Sequence, residues 1–202
     1  MKVLVTAFEP FRGDAQNSSQ LVLERLPDRV GEVEVVKVTL PVTFADAPAV
    51  AIAAIERERP QVMLCLGQAG SRACVNLERI AVNMAHANNP DNAGAKPCRQ
   101  PVVAGGPDGI FSPLPVDDLA EAVRAAGYPC VVSNTAGLYV CNTLYYRLLH
   151  RYADVLPVLL VHLPYAHQQA AAKPAATSSM AVASMSDAIA ALLTAISAAE
   201  RR

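Results

Sequence analysis

The sequence predicts an α/β protein built on a mostly parallel sheet with helices covering both faces. Short apolar runs, among them Lys2-Val-Leu-Val-Thr6, Val62-Met-Leu-Cys-Leu66, Cys130-Val-Val132 and Val158-Leu-Leu-Val161, suit strands buried on both sides. Between such runs, apolar residues return at steps of three and four, the spacing of amphipathic helices. Strand and helix therefore alternate along the chain. Ligands in such folds gather beyond the carboxyl ends of the strands, so residues that follow strands are the first candidates for function.

Taken in order, Met1 leads directly into a first strand over residues 2–6, too short to be the apolar region of a secretion signal. The loop Ala7-Phe-Glu-Pro-Phe-Arg-Gly13 follows; its Phe8 and Phe11 either cap the core or bind a ligand. A helix is expected over 18–26, stopped by Pro27, then a strand over 33–42. A helix over 44–59 carries Phe44, Ala47, Ala51, Ala54 and Ile55 on one face, and the strand over 62–66 runs out at Gln68. From Gly67 to Ser112 the period is lost among Gly94, Gly105, Gly106, Gly109 and several prolines, a segment too long for a simple connector and expected to be functional. Within it Glu78 stands between Leu77 and Ile80 and needs a partner, the plain choice being Arg79 on a solvated strand face. Alternation resumes with a helix over 117–126, the strand around Val131, a helix from near Leu138 and the strand over 158–161. A last helix has Ser186 or Asp187 as N-cap and Ile189, Leu192, Leu193 and Ile196 on one face.

The stretch Ser133-Asn-Thr-Ala-Gly-Leu-Tyr-Val-Cys141 places a cysteine at a helix start. Cys141, Leu144, Tyr145, Leu148, Leu149 and Tyr152 share one helical face, so Cys141 falls in the first turn. Unpaired N–H groups and the helix dipole favour a thiolate there. A core thiol would lie on the same stripe, and a nucleophile needs a base and an orienting group besides. His162 ends the apolar run Val158-Leu-Leu-Val161 at the ligand edge of the sheet. Alone it reads as a hydrogen-bonded core histidine; beside a helix-start cysteine it reads as the base.

At 202 residues, with 52% hydrophobic and 17% charged, the chain can bury one large core, and a single domain over 1–202 is expected. A net charge of −1 and no basic run give no reason to expect nucleic acid or a membrane surface as partner, and no stretch is expected to span a bilayer. The five cysteines (65, 74, 98, 130 and 141) are odd in number and scattered, which predicts free thiols and a cytoplasmic home. His162 and His167, five apart, do not match the spacing of metal-binding histidines on one helix face, and no metal is expected.

These residues resemble the type I pyroglutamyl peptidases along nearly the whole chain. The cysteine signature T-A-G-x-[FY]-V-C-N is met by Thr135, Ala136, Gly137, Tyr139, Val140, Cys141 and Asn142. The glutamate signature is met by Gly67, Gly70, Glu78, Arg79, Ile80, Ala81 and Asn83, the opening one by Thr6, Phe8, Glu9, Pro10, Phe11 and Gly13, and H-[IVL]-P by His162, Leu163 and Pro164. The resemblance implies a three-layer α/β/α sandwich and a cysteine peptidase acting on peptides with an N-terminal pyroglutamate. It implies Cys141 as nucleophile, His162 as base, Glu78 as the group orienting His162, and Phe8, Phe11 and Gln68 around the substrate ring. It implies no cofactor and a homotetramer. The N–H of Cys141 is the natural oxyanion donor, with a second donor unassigned.

Departures from the pattern are Ala7 and Arg12 for glycines, Ser18 for a proline, Asn76 for serine or threonine, and Ala87-Asn-Asn-Pro-Asp-Asn92 where the family commonly carries an arginine. Arg12, in the neighbouring loop, is a candidate to restore that charge. Two other readings stand beside the peptidase. A glutamine-hydrolysing Cys-His-Glu amidase is disfavoured because Glu78 precedes Cys141, and a binding protein that has lost turnover rests on the missing arginine alone.

Overall fold

The computed structural model describes residues 1–200. In chain order the elements are β1 (Lys2–Phe8), α1 (Ser18–Arg25), β2 (Arg29–Val30), β3 (Val33–Leu40), α2 (Asp46–Glu58), β4 (Val62–Gln68), β5 (Val75–Glu78), β6 (Ile80–Val82) and β7 (Gly109–Phe111). They continue with α3 (Val116–Ala125), β8 (Cys130–Ser133), α4 (Val140–Tyr152), β9 (Val158–Leu163), β10 (Tyr165–Ala166), α5 (His167–Ala171), β11 (Ser179–Met180) and α6 (Val182–Ala199).

Seven strands form the central sheet in the order β2-β3-β1-β4-β9-β5-β8. The block β3-β1-β4-β9 is parallel, with β2 antiparallel at its edge. Beyond β9 the direction reverses: β5 pairs antiparallel to β9, and β8 runs parallel to β5. The sheet is thus mostly parallel, as expected, with two reversals, at β2 and at β9, that periodicity did not announce. Side chains alternate across it. Val3, Val5, Leu64, Leu66, Leu159 and Val161 face the layer that includes Val22 and Leu23 of α1, Leu119 and Val123 of α3, and Ile189 and Leu193 of α6. Leu4, Met63, Cys65, Val158 and Leu160 face Ala51 and Ile55 of α2 and Leu144, Tyr145 and Leu148 of α4. Two helical layers around one sheet make the three-layer sandwich.

Three expectations change. The last helix begins at Val182 with Ala181 as N-cap, four residues before Ser186. Ser186 is buried inside the helix, and the alanine-rich run Ala181-Val-Ala-Ser-Met-Ser186 carries the helix through it. That same helix, 18 residues with mean hydropathy 1.6, is long and apolar enough to cross a membrane, contrary to the expectation that no stretch is; Met185, Ile189, Leu192, Leu193 and Ile196 are buried in the core instead. Finally, Arg79 does not pair with Glu78: its guanidinium makes a two-pronged contact with Asp117, at 2.9 and 2.8 Å, while Glu78 is fully buried.

Candidate active site

The reversal at β9 builds the site. Glu78 on β5 stands opposite Leu160, and Asn76 opposite His162. Residues two apart on a strand share a face, so the antiparallel register sets Glu78 and His162 diagonally on one side of the sheet. His162 Nδ1 lies 2.9 Å from Glu78 Oε1, and the two side chains are 6% and 0% exposed. That contact fixes the ring with Nε2 turned toward α4.

Cys141 arrives from the opposite direction. Because β8 runs against the parallel block, the chain does not reach the site by simply stepping off a parallel strand, as the sequence suggested. Instead residues 134–139 lead back over the sheet to Tyr139, whose extended backbone is the N-cap of α4. Cys141 is the second helical residue, where backbone N–H groups have no intrahelical acceptor. The stripe it shares with Leu144, Tyr145, Leu148 and Leu149 turns it inward, yet the thiol is half-buried and lines a cavity.

Gly67, the register partner of His162 on β4, leaves room for this meeting. A Cβ there would come within 3.0 Å of His162 Cδ2 and 3.1 Å of Cys141 Sγ. Burial presses the His162 imidazole toward its neutral form, but hydrogen bonds to Cys141 and Glu78, and then their charges, outweigh it and raise its pKa to about 9. Glu78 Oε2 is buried with no hydrogen-bond partner among the described residues. Arg72 Nη2, 4.0 Å from Oε1, also donates to Ser133 Oγ and Thr135 O, both at 3.1 Å.

The cavity measures about 450 Å³. Phe8, the last residue of β1, is 2% exposed and serves both core and cavity wall, so the two readings of that loop merge. Phe11, half-buried, sits 6.3 Å from the Tyr139 ring. Gln68 is the final residue of β4; its Oε1 accepts from Ser18 N and from Gln169 Nε2, each at 2.8 Å, which leaves its own amide N–H groups for the cavity. A proline at position 18 has no N–H for that bond, so the departure at Ser18 tightens Gln68. Asn88 and Asn89 are exposed and do not line the cavity, whereas Arg12 does. Tyr139, which belongs to the cysteine signature, also lines it, together with Arg72 and Tyr165, for which the sequence carries no signal.

A cysteine, an imidazole and a buried carboxylate in sequence of contact, on the sheet of an α/β/α sandwich, make the working set of a cysteine hydrolase. A family model described as pyroglutamyl peptidase matches residues 1–202, and the chain belongs to that family. It is 41% identical over 177 residues to the pyrrolidone-carboxylate peptidase of Thermococcus onnurineus, covering 86% of this chain and 88% of that one. With the pyrrolidone-carboxylate peptidase of Erwinia tasmaniensis identity is 43% over 187 residues, 91% and 87% of the two chains. Among solved structures, pyroglutamyl peptidase I of Bacillus amyloliquefaciens superposes with a TM-score of 0.92 at 31% identity over 98% of this chain and 97% of that one. A mutant pyrrolidone carboxyl peptidase of Pyrococcus furiosus gives 0.91 at 33% identity, covering 96% and 97%. The chain is accordingly a cysteine omega-peptidase of this family.

Proposed function

We propose that the chain removes N-terminal pyroglutamyl residues from peptides through a thioester intermediate, with Cys141 as nucleophile, His162 as proton carrier and Glu78 as its orienting partner. The observation that carries this is the meeting of Cys141 Sγ and the His162 ring over Gly67, with His162 held by the buried Glu78, opening into a cavity with aromatic walls and, among the described residues, no lining carboxylate. With its pKa raised to about 9, His162 carries the proton near neutral pH, and the Cys141 sulfur attacks the carbonyl carbon of the pyroglutamyl residue beside this imidazolium. Negative charge collects on the carbonyl oxygen, next to the N–H groups of the first turn of α4. Collapse breaks the C–N bond, and the imidazolium returns its proton to the leaving amine. Water, deprotonated by His162, then attacks the thioester, freeing pyroglutamate and the thiol. Glu78 holds the tautomer and balances the imidazolium.

Phe8 and Phe11 supply flat apolar walls, and the Gln68 amide supplies a donor for the lactam carbonyl. A prolyl substrate brings a charged amine to walls that offer it no carboxylate, and lacks the carbonyl. A site built to hydrogen-bond a group commonly rejects the analogue without it by roughly 10⁴-fold, and discrimination of that order in kcat/KM is expected here. Matched pyroglutamyl and prolyl fluorogenic amides test the reading: comparable values for the two would overturn it, and binding of the pyroglutamyl amide without turnover would favour the inactive relative. The family match supports the peptidase over the glutamine amidase. The proposal extends to a cytoplasmic homotetramer, supported by the resemblance and by five free thiols; light scattering on the purified chain tests the assembly.

A further inference from the structure

Arg12 stands on the rim of the cavity in a conformation that asks for an explanation. Its backbone has φ 56°, in the left-handed region that ordinary side chains rarely adopt, followed by Gly13 at φ 76°. Its guanidinium lies 5.6 Å from the ring centroid of Phe11 and 5.3 Å from that of Tyr139, two residues before Cys141. Stacking on two rings fixes a charge in place while leaving its outer edge in water. The residue is exposed. No carboxylate pairs with it among the described residues. The acidic groups of neighbouring segments are engaged elsewhere: Glu9 Oε1 accepts from Val42 N and Asn92, Asp14 is paired with Lys173, and Asp91 accepts from the backbone of Phe44, Ala93 and Ala95. The other cation on the cavity wall, Arg72, is committed to Ser133, Thr135 and the vicinity of Glu78.

An exopeptidase that takes the terminal ring into the depth of this cavity, against Phe8, Gln68 and His162, must let the rest of the peptide leave across the rim. We infer that Arg12 is a specificity residue for the leaving side of the substrate, selecting pyroglutamyl peptides that carry a carboxylate on the residue after the scissile bond. This rests on the activity proposed above. The chemistry is a fixed guanidinium, exposed and unpaired, meeting a carboxylate where water still screens the pair, so the gain is that of a surface ion pair and falls with salt.

The test compares pyroglutamyl-glutamyl amide with pyroglutamyl-glutaminyl amide, which are near-isosteric and differ in charge. For the wild-type chain kcat/KM for the glutamyl peptide should exceed that for the glutaminyl peptide by about two- to fivefold at low ionic strength, shrinking toward one in high salt. Arg12→Gln and Arg12→Gly, the second also relieving the left-handed backbone, should bring the ratio to one at low salt, and Arg12→Glu should invert it. Equal rates on both peptides in the wild type, or a preference that survives in Arg12→Gln and Arg12→Gly, overturns the inference and leaves the peptidase standing. Failure to cleave either peptide overturns the activity and this inference with it.

Discussion

Glu78 touches no substrate in the proposed chemistry, so its replacement separates orientation from attack. Glu78→Gln keeps the shape and removes the charge. The carboxylate is one of the groups raising the His162 pKa to about 9 against the opposing effect of burial, so its loss lets that pKa fall. Imidazolium then disappears at a lower pH, and the alkaline limb of kcat/KM should move to lower pH, with residual turnover above that of Cys141→Ala or His162→Ala. An unmoved limb would place Glu78 outside the titrating unit, and full activity in either alanine variant would overturn the mechanism. Iodoacetamide gives an independent reading. Cys65 and Cys130 are buried, and burial pushes their thiols up to about 12 and about 11; Cys74 is raised for the same reason. Cys141 opens on the cavity beside His162, so it should be labelled fastest near pH 7.5, ahead of exposed Cys98. Equal labelling of Cys98 would count against an activated nucleophile. At this scale Cys141 and His162 could be seen in the sequence because each follows or starts a periodic element. The partner of Glu78 could not be read from its neighbours, which pointed to Arg79, and came only through the family resemblance, since it depends on a pairing between β5 and β9 that spans 84 residues.

Among the elements, β5 explains most of what the sequence hid. Four residues are too few to show a period, and their antiparallel insertion between β9 and β8 depends on contacts far along the chain. The long segment after Gly67 was expected to be functional, and it supplies this strand together with a loop tied to both sides of the cavity. His86 N donates to Leu138 O, Tyr139 Oη to Pro90 O, and Asn92 Nδ2 to Glu9 Oε1 and Pro10 O. Helices with broad apolar stripes were legible to within a few residues, but the start of α6 was not, because Ala181 makes no side-chain cap bond to mark it. The meeting of β4, β9 and α4 at Gly67 carries its own prediction. Gly67→Ala puts a methyl carbon 3.0 to 3.2 Å from His162 ring atoms and 3.1 Å from the sulfur, all of which must give way. The ring and the sulfur need to move by a few tenths of an ångström, a fraction of the one-ångström misplacement that costs about 10²-fold, so a kcat loss of about tenfold is expected with the fold retained by circular dichroism. Wild-type kcat in a folded Gly67→Ala protein would show that the pair tolerates separation.

For the molecule as a whole, the buried titratable groups with resolved shifts push stability in one direction. His162 has a folded pKa of about 9 against an ordinary 6.5, so the stability it contributes is fully present below 6.5 and is lost as pH rises through about 9. The Cys65 and Cys130 thiols are held neutral by burial on opposite faces of the sheet, with pKa values of about 12 and about 11 against an ordinary 9.0. Above pH 9 the unfolded chain ionises these thiols while the folded one does not, so their contribution is lost between 9 and those values; Tyr145, raised by burial, acts in the same sense at still higher pH. Each such group costs about 1.4 kcal/mol per pH unit inside its window. Stability should therefore fall continuously from about pH 6.5 upward, first through the active site and then through the core. Urea unfolding at pH 6.5, 8 and 10 should show a midpoint that decreases at each step, with His162→Ala flattening the first interval and Cys65→Ala reducing the slope of the second above pH 9 alone. A midpoint that rises between pH 6.5 and 10 would mean that the imidazole and thiols are not buried in these states.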